Sequence, residues 1–378
     1  MRLAFVKKRF SLHGGAELYL RTMLGELKKE GHDLHVFAND WTEEPGVGFH
    51  KVKIIQATSF LSALTFTKNA ARALKHDKFD CIVSFERAEY QDIYRAGDGC
   101  HRAWLGIRSE FEPACRRISF KVNPFHLYTL ALEKKIFADT PVIVVNSMMV
   151  KKQIMKYYST PSEKIIVAYN GVDLETYSPD NRNKWRSNIR SSLGINEKDK
   201  VLLFVGTGFK RKGVEVLIRA LPMVMTNDNE RVIALIVGKG EASYYERLSK
   251  GLGVSGNVVF TGPQSRIEKY YAAADVFVLP TIYDPFSNAC LEAMASGLPV
   301  ITTRNNGAAE VLEQGKEGFV INSVADHTEL AGKLILALED AGRMGALARA
   351  KAERFGIAGA AAHFIRLMKE TAATKQQP

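Results

Sequence analysis

Cysteine is scarce in this sequence, and its few cysteines are far apart. Cys81, Cys100, Cys115 and Cys290 are distributed among 378 residues without paired spacing. Cysteine-based metal sites need closely spaced pairs, and small disulfide-stabilised folds need a higher density, so the sequence excludes both. Unpaired cysteines at this density are typical of a reducing compartment, and we expect a cytoplasmic location.

Long apolar runs are missing too. No stretch approaches the ~20 apolar residues that a membrane-spanning helix needs. The first ten residues contain no apolar segment followed by a small-residue cleavage site. We therefore expect a protein that neither crosses a bilayer nor is exported through a signal peptide.

Several ligand-binding motifs are also absent. There is no G-x-x-x-x-G-K-[ST] loop, no Asp-x-Asp pair and no recognisable nucleic-acid-binding module. Gly238 and Gly240 could open a dinucleotide fingerprint, but Ser243 stands where the third small residue belongs. We interpret this segment as a tight turn.

Charge is abundant and unevenly distributed. The formal net charge is +11, with 26 basic against 18 acidic residues in residues 1–170 and 26 against 23 in the remainder. A basic first half is compatible with nucleic acid, an anionic membrane, a phosphorylated substrate or simple solubility. Because no nucleic-acid module is present, nucleic acid is the least favoured of these.

Short Val- and Ile-rich runs alternate with stretches of helical periodicity. The first run, Leu3–Val6, leads through a glycine-containing loop into a helical pattern, and Leu34–Ala38 follows as the next strand. Later apolar runs begin at residues 81, 142, 165, 201, 232, 258, 276, 300 and 319. Continuous apolar runs of this kind are typical of parallel sheets that are covered by helices on both faces.

A break in this alternation divides the chain. Turn residues at Tyr169–Asp173 are followed by a polar stretch to Asn196, after which the α/β series starts again. We predict one Rossmann-like domain over residues 1–168 and another over 169–355, with a C-terminal helix at about 356–374 that could pack back on the first. Doubly wound domains bind ligands at the carboxyl ends of their strands, and we expect a shared cleft there.

Two carboxylates in the second series are the strongest candidates for a binding site. Asp284 ends an apolar run, and Glu292 follows eight positions later inside a predicted helix. Between them, Phe286, Ser287 and Asn288 would present unpaired backbone N–H groups at the helix start, where the helix dipole favours a phosphate. Carboxylates that bind a polyol, beside a helix end that binds a phosphate, would suit a nucleotide sugar.

The loop Gly206–Gly213 adds a cluster of cations. It follows a strand, opens a helix and contains Lys210, Arg211 and Lys212 in succession. Arg211 and Lys212 could neutralise a diphosphate, the arginine through its planar fork and the lysine as a point charge. The alternative is a solvated basic turn.

Loops that follow strands in the first half contain further candidates. Gly14 and Gly15, near the basic residues 7–9, could place backbone N–H groups against an anion, or could serve only as turn formers. Asp98 and His101 lie in a loop rich in titratable groups, where we consider acceptor binding or proton transfer. Each of these two could equally be structural.

Basic and aromatic side chains interleave between Arg102 and Lys156. The mixture could lie against an anionic membrane, bind a phosphorylated acceptor, or pack as amphipathic helices with their aromatic faces in the core. The residues are Arg108, Arg116, Arg117, Lys121, Lys134, Lys135, Lys151 and Lys152, with Trp104, Phe111, Phe120, Phe125 and Tyr128.

These motifs resemble those of the retaining glycosyltransferases of family 4, which have the GT-B architecture of two Rossmann-like domains facing across a cleft. The resemblance extends over nearly the whole chain. The motifs that carry it are the Gly14-Gly15 loop, N-G-V-D at Asn170–Asp173, K-R-K-G at 210–213, A-A-D-V-F-V-L-P-T at Ala273–Thr281 and E-A-M-A-S-G-L-P-V at 292–300. The segment F-E-R-A-E-Y-Q-D-I-Y-R-A-G-D at 85–98 is similar to lipopolysaccharide core glucosyltransferases that add the first glucose to inner-core heptose.

The resemblance implies separate roles for the charged residues. Glu292 would bind the ribose hydroxyls, Asp284 would bind the transferred sugar, and Arg211 with Lys212 would hold and stabilise the departing diphosphate. Asp98 would lie near the reacting carbon and the acceptor. The family also implies retention of configuration without a metal ion and without a bound prosthetic group.

Backbone groups would complete the donor site in this resemblance. Those around Phe286, Ser287 and Asn288 would contact the donor sugar or its phosphate. Gly14 and Gly15 would close over the phosphates.

Two positions depart from the family pattern. Asp284 stands where the family has Glu, which shortens the carboxylate by one methylene and changes its reach toward sugar hydroxyls. Thr207 stands where the family has Arg after the first glycine of the loop, and Arg211 could take over its function. Donor identity is the property that these departures affect.

The implied function is a cytoplasmic transferase, peripheral on the inner face of the cytoplasmic membrane, that moves a hexose from a nucleotide sugar. We expect UDP-glucose as the donor, a lipid-linked or phosphorylated glycan such as a lipopolysaccharide core as the acceptor, and no nucleic-acid partner. Two alternatives stay open. One is transfer to another glycan or a small molecule, and the other is a non-catalytic nucleotide-sugar-binding protein that docks on membranes.

Overall fold

The computed structural model describes residues 1–9, 15–42, 44–225 and 231–376. The chain divides into two units, one formed by Met1–Asn170 with Ile357–Pro378 and the other by Gly171–Gly356. Each unit is built on a parallel sheet with intervening helices, so the predicted α/β fold class is confirmed. No helix in the described ranges is long and apolar enough to cross a membrane.

The described part of the first unit forms a seven-stranded sheet in the order β3-β2-β1-β4-β5-β6-β7. Its strands are β1 (Arg2–Val6), β2 (Asp33–Ala38), β3 (Gly48–Lys51), β4 (Cys81–Ser84), β5 (Ile93–Arg95), β6 (Val142–Val145) and β7 (Ile165–Val167). The helices between them are α1 (Gly15–Lys29), α2 (Ser59–Lys75), α3 (His101–Glu110), α4 (Ala114–Val122), α5 (Pro124–Asp139) and α6 (Met148–Tyr158).

Strand β1 shows why the apolar runs of this unit are continuous. Leu3 and Phe5 belong to a core cluster with α1, whereas Ala4 and Val6 belong to another cluster that includes Phe66 of α2. Alternate residues of a strand point to opposite faces of the sheet, and both faces here are covered by helices. Positions 3–6 of the strand, which are fully buried, therefore have to be apolar.

The described part of the second unit forms a six-stranded sheet in the order β10-β9-β8-β11-β12-β13. Its strands are β8 (Lys200–Val205), β9 (Val232–Val237), β10 (Val258–Gly262), β11 (Val276–Leu279), β12 (Val300–Thr303) and β13 (Gly318–Ile321). Its helices are α7 (Asn181–Ser192), α8 (Phe209–Lys212), α9 (Val214–Val224), α10 (Ala242–Gly251), α11 (Glu268–Ala273), α12 (Asn288–Ala295), α13 (His327–Glu339) and α14 (Ala341–Ala352).

The last helix, α15 (Ile357–Gln376), packs in the first unit rather than the second. Phe364 and Met368 are fully buried in the core cluster that contains α1. Tyr19 of α1 contacts Phe364 edge to face with ring centroids 6.2 Å apart, and its hydroxyl donates to the carbonyl of Ala360 at 3.3 Å. Burial of a side chain as large as Phe contributes about 1.5–3 kcal/mol, so α15 is part of this unit's core.

Helix α7 occupies the polar stretch in which the sequence predicts no helix. It has little apolar surface to bury, and arginines attach it instead. Arg182, Arg186 and Arg190 lie on one face at four-residue spacing, and all three donate to the carboxylate of Asp275, at 3.0, 2.9 and 2.7 Å. Apolar periodicity could not show this helix, because ionic contacts rather than apolar ones hold it.

Both sheets reverse their strand order at one place. The reversal lies between β1 and β4 in the first unit and between β8 and β11 in the second, and each of these pairs is parallel. Loops that leave adjacent strands in opposite directions open a crevice at the carboxyl edge, where α/β proteins bind ligands. We call these two places the first and second switch points.

Candidate functional site

At the second switch point, the segment that follows β8 is hydrogen-bonded to the segment that follows β11. The carbonyl of Arg211, in the short helix α8 that follows β8, accepts hydrogen bonds from the N–H of Ile282 at 2.8 Å and the hydroxyl of Thr281 at 3.1 Å. Gly213 has φ +83°, and a Cβ there would lie 1.9 Å from the carbonyl oxygen of Pro280. Only glycine allows this close approach, so Gly213 fixes the loop against the end of β11.

Three charged side chains meet where these loops join. Lys212 and Asp284 are directly bonded as an ion pair, and Asp284 is only 7% exposed. The Nη1 atom of Arg211 donates to the carbonyl of Tyr283 at 3.0 Å and lies 3.9 Å from Oδ2 of Asp284. The structure thus brings together three of the predicted residues, and a sugar hydroxyl that binds Asp284 would share its carboxylate with Lys212.

The start of α12 lies beside this cluster in the chain and differs from the prediction. The sequence predicts unpaired N–H groups there, but the N–H of Ser287 donates to Oδ1 of Asn306 at 3.1 Å. Ser287 is 4% exposed, and a buried N–H must find an acceptor inside the protein. For Ser287 the prediction is therefore wrong, and Asn288 is the first residue of α12.

Asn306 is a residue of this region that the sequence does not reveal. Its Oδ1 also accepts from the N–H of Ala308 at 3.1 Å, and its Nδ2 donates to the hydroxyl of Thr302 at 2.9 Å. The carbonyl of Asp284 accepts from the N–H of Gly307 at 2.9 Å. Asn306 therefore ties the segment around Asp284 and the start of α12 to the end of β12.

Glu292 has different neighbours from Asp284. The hydroxyl of Tyr271 donates to its Oε2 at 2.9 Å, and the ring of Tyr177 packs edge to face on Tyr271 with centroids 5.6 Å apart. Burial raises the pKa of Glu292 to about 7, although the hydrogen bond from Tyr271 favours the ionised form. The two carboxylates predicted as a pair thus have different partners: Asp284 forms an ion pair with a lysine, whereas Glu292 accepts from a tyrosine and can be protonated near neutral pH.

In the first unit, Asp98 lies on the loop that follows β5. Its side chain is 73% exposed, and its carboxylate lies 3.6 Å from a guanidinium nitrogen of Arg87. Arg87 also donates to the carbonyl of Gly99 at 3.4 Å and to Oε1 of Glu133, through Nε at 3.0 Å and Nη2 at 2.9 Å. Asp98 is therefore accessible, and the loop around it is positioned by a guanidinium.

Glu133 is the centre of this network. Its side chain is fully buried in α5 and accepts from Arg87, from the backbone N–H of His101 at 2.8 Å and from the hydroxyl of Tyr158 at 2.6 Å. The sequence places this carboxylate in an apolar helical pattern between Leu132 and Ile136, which is the signal that could have revealed it. A buried carboxylate surrounded by donors is unusual and marks a position that orders its surroundings.

Of the remaining candidates in the first unit, His101 joins this network only through its backbone N–H, and Gly14 lies outside the described ranges. Nε2 of His101 lies 3.0 Å from Nδ1 of His126, and burial, with Arg87 and His126 nearby, lowers the pKa of His101 to about 3. His101 is therefore neutral near pH 7 and is no general acid there. Gly14 lies outside the described residues, and Gly15 is the first residue of α1.

Metal ligands do not cluster in the part of the chain that the structure describes. No three His, Cys, Asp or Glu side chains converge there as a metal site requires. Arg211 and Lys212 bring positive charge to the second switch point.

Comparison with known proteins assigns both units. The model of the family described as Glycosyltransferase Family 4 matches residues 13–176, and that of the Glycosyl transferases group 1 matches residues 186–359. An uncharacterized glycosyltransferase of Methanocaldococcus jannaschii is 34% identical over 341 residues, which cover 84% of each chain. The lipopolysaccharide glucosyltransferase WaaG of Escherichia coli is 25% identical over 326 residues, covering 85% of each chain.

Solved structures show the same fold. The crystal structure of WaaG, described as a glycosyltransferase involved in lipopolysaccharide biosynthesis, superposes with a TM-score of 0.81 at 23% identity and covers 97% of this chain and 99% of its own. Anabaena HepE in complex with UDP-glucose superposes with a TM-score of 0.72 at 19% identity, covering 98% and 100%. With its two Rossmann-like units and these relatives, the chain belongs to the family 4 glycosyltransferases of GT-B type and is related to WaaG.

Proposed function

We propose that this glycosyltransferase is a retaining, metal-independent hexosyltransferase that moves glucose from UDP-glucose to a lipopolysaccharide core or a related surface glycan. The observation that carries the proposal is the convergence of Arg211, Lys212 and Asp284 at the second switch point. Two cations held at the carboxyl edge of a parallel sheet suit a diphosphate, and a carboxylate beside them suits a sugar hydroxyl. WaaG and the UDP-glucose complex of HepE support this choice of donor and acceptor.

In this proposal the cations act on the leaving group. As the bond between the anomeric carbon and the diphosphate oxygen breaks, negative charge grows on that oxygen, and Lys212 and Arg211 stabilise it. The acceptor hydroxyl attacks the anomeric carbon on the face from which the diphosphate leaves, and its proton passes to the departing phosphate. A new glycosidic bond replaces the broken one, so the configuration is retained.

The other predicted residues would bind the substrates. Glu292 would accept hydrogen bonds from the ribose hydroxyls, which requires its ionised form, and Asp284 would contact the transferred sugar. Asp98 would lie near the acceptor, where its exposure leaves it accessible. The backbone around Phe286 and Asn288 would contact the donor.

A transfer assay tests this function directly. The purified chain is mixed with UDP-glucose and a truncated core lipid that ends in heptose, with a metal chelator in a parallel reaction. We expect glucose transfer with retained anomeric configuration in both reactions, and slow donor hydrolysis without acceptor. Neither transfer nor hydrolysis would contradict this donor and acceptor, whereas donor binding without turnover would favour a non-catalytic binding protein.

A peripheral membrane location is the second part of the proposal. Helix α4 exposes Ile118 and Val122, whose side chains are 64% and 65% exposed, and Leu127 at the start of α5 is 50% exposed. Arg117 and Lys121 lie on the same short segment. Exposed apolar side chains beside cations are typical of helices that lie in the interface of an anionic membrane.

Vesicle sedimentation tests this location. Ile118→Ser with Val122→Ser should reduce binding to anionic vesicles, while the matched substitution Leu336→Ser, at an exposed leucine of the second unit, should not. Binding should also weaken as salt rises, because salt screens the attraction between cations and lipid headgroups. Binding that is indifferent to salt and to anionic lipid would contradict the proposal.

A further inference from the structure

A pocket of about 470 Å³ opens at the first switch point. Its volume lies within the ~300–1,000 Å³ typical of small-molecule sites. Lys8 and Arg9 follow the end of β1, Glu86 follows the end of β4, and all three line the pocket. The pocket therefore occupies the crevice that the reversed strand order creates, which is where α/β proteins bind ligands.

Lys8 and Arg9 bring two positive charges to this pocket. Their backbone is fixed, because Arg9 forms a parallel bridge with Asp40 and the carbonyl of Lys8 accepts from the N–H of Asn39 at 3.0 Å. Within the described ranges, neither side chain forms an ion pair with a carboxylate. Among the described lining residues these two cations exceed the single carboxylate, that of Glu86, by one charge, and a positive excess favours an anionic ligand.

The start of α2 supplies hydrogen-bond donors to the same pocket. Thr58 caps the helix by accepting from the N–H of Leu61 at 3.1 Å, while the N–H groups of Ser59 and Phe60 have no acceptor among the described residues. Ser62 lines the pocket and is 8% exposed. Its hydroxyl can donate a hydrogen bond to an oxygen of an anion bound beside the helix start.

The opposite side of the pocket suits a sugar. Glu86 accepts from the backbone N–H of Lys8 at 3.3 Å and lines the pocket with Gln56, whose amide has no partner within the described ranges. Carboxylate and amide groups bind sugar hydroxyls, and the ring of Phe125 offers a flat apolar face to a pyranose. Phe125 is the single large apolar side chain among the described lining residues, so an acyl chain would find little to contact.

We propose that this pocket binds a phosphorylated sugar unit of the acceptor, with the phosphate at Lys8, Arg9 and the start of α2 and the hydroxyls at Glu86 and Gln56. The biological meaning of this site rests on the glycosyl transfer proposed above. Binding itself requires neither donor nor turnover, and it can be measured separately.

Calorimetric titration of the full chain tests the site with simple probes. Glucose 6-phosphate should bind at least about tenfold more tightly than glucose or inorganic phosphate alone, because only it engages both sides of the pocket. Lys8→Gln with Arg9→Gln should weaken its binding by about tenfold or more, and Ser62→Ala should weaken it several-fold. The control, Lys51→Gln with Lys53→Gln, removes the same charge from exposed lysines of the same unit that do not line the pocket and should have no effect.

Four outcomes would overturn the site. They are equal affinity for glucose and glucose 6-phosphate, equal losses in the two double variants, displacement of glucose 6-phosphate by UDP, and glycerol 3-phosphate binding as tightly as glucose 6-phosphate. The last would indicate a lipid headgroup rather than a sugar. Hydrolysis of UDP-glucose by the unmodified chain is scored separately, so loss of this site and failure of the proposed transferase function are distinguishable.

Discussion

The cations at the two switch points differ in whether the described part of the protein supplies partners for their side chains. At the second, Lys212 is bonded to Asp284 and Arg211 donates to a carbonyl, so both cations are oriented by the protein. At the first, Lys8 and Arg9 line a pocket and form no ion pair within the described ranges. Cations that are already oriented suit a charge that grows during a reaction, whereas cations without partners suit a ligand that arrives with its own charge.

The first unit also contains a cation that the protein orients, Arg87, but this residue is not among those that line the pocket. Arg87 is bonded to the buried carboxylate of Glu133 and does not line the pocket. It orders the loop that contains Asp98 and Gly99. In the first unit, Arg87 stabilises a loop, whereas Lys8 and Arg9 are available to a ligand. In the second unit, Lys212 has both functions.

The largest effect is expected from Glu133→Gln. Arg87, the N–H of His101 and the hydroxyl of Tyr158 all donate to this carboxylate, so the amide of Gln would place its own donors against them. We expect a loss of about 3–5 kcal/mol in the free energy of unfolding of the first unit. Chemical denaturation monitored in the full chain measures it.

The control for that variant is Glu313→Gln. Glu313 also pairs with lysines, Lys316 and Lys351, but at the surface of the second unit, and its loss should leave stability unchanged within error. Equal losses in the free energy of unfolding for the two variants would contradict the prediction that the buried network stabilises the protein more than a surface ion pair does.

Lys212→Ala should lower the turnover of donor by about 10²–10³-fold, or about 2.7–4 kcal/mol in the activation barrier. The reason is that Lys212 is proposed to stabilise the diphosphate as it leaves. Initial rates of UDP-glucose hydrolysis and transfer measure the effect. An undiminished rate would show that the cations of the second switch point only hold its loops together.

Asp284→Glu tests whether Asp284 contacts the transferred sugar or only positions Lys212. This variant keeps the charge that binds Lys212 and restores the longer side chain of the family. It should change the KM for different nucleotide sugars more than kcat for UDP-glucose. A fall in kcat that equals the effect of Lys212→Ala would assign Asp284 to the positioning of Lys212 instead of sugar contact.

Glu292→Gln tests the pH dependence of the second unit. The folded-state pKa of Glu292, about 7, lies above its ordinary value of 4.5, so its stabilising contribution is full below about 4.5 and is lost as the pH rises through 7. The variant is neutral at every pH and avoids this loss, so it should exceed the unmodified chain in stability at pH 8 by about 3 kcal/mol, but not at pH 4.5. Thermal melting at both pH values measures the difference, and an equal difference at both would contradict it.

The smallest effect on stability is expected from Lys8→Gln with Arg9→Gln. Because neither side chain forms an ion pair within the described ranges, unfolding free energy should change by less than about 0.5 kcal/mol. Denaturation of the same sample used for titration measures it. A loss as large as that of the Glu133 variant would mean that the first switch point, like the second, needs its cations for structure.

The sequence predicts those parts of the molecule whose signal is local. The apolar run predicted to begin at residue 232 is strand β9, and the helix predicted to contain Glu292 is α12, because continuous apolar residues and helical spacing suffice to define them. Strand β3 at Gly48–Lys51 and strand β5 at Ile93–Arg95 are not predicted. The first is an exposed edge strand without an apolar run, and the second is only three residues long.

Long-range contacts explain what the sequence could not show of the site. The cluster of Arg211, Lys212 and Asp284 follows from motifs, since both loops leave adjacent parallel strands. By contrast, the partner of Arg87 lies 46 residues away, and the oxygen that occupies the N–H of Ser287 lies 19 residues away. Neither partner belongs to a motif, so only the fold reveals them.

The return of α15 to the first unit has a consequence for biosynthesis. The second unit is continuous in sequence, Gly171–Gly356, and is complete before α15 is translated. The first unit begins earlier but lacks Phe364 and Met368 of its core until α15 has been translated. During synthesis the first unit therefore keeps an open apolar face until α15 is available to cover it.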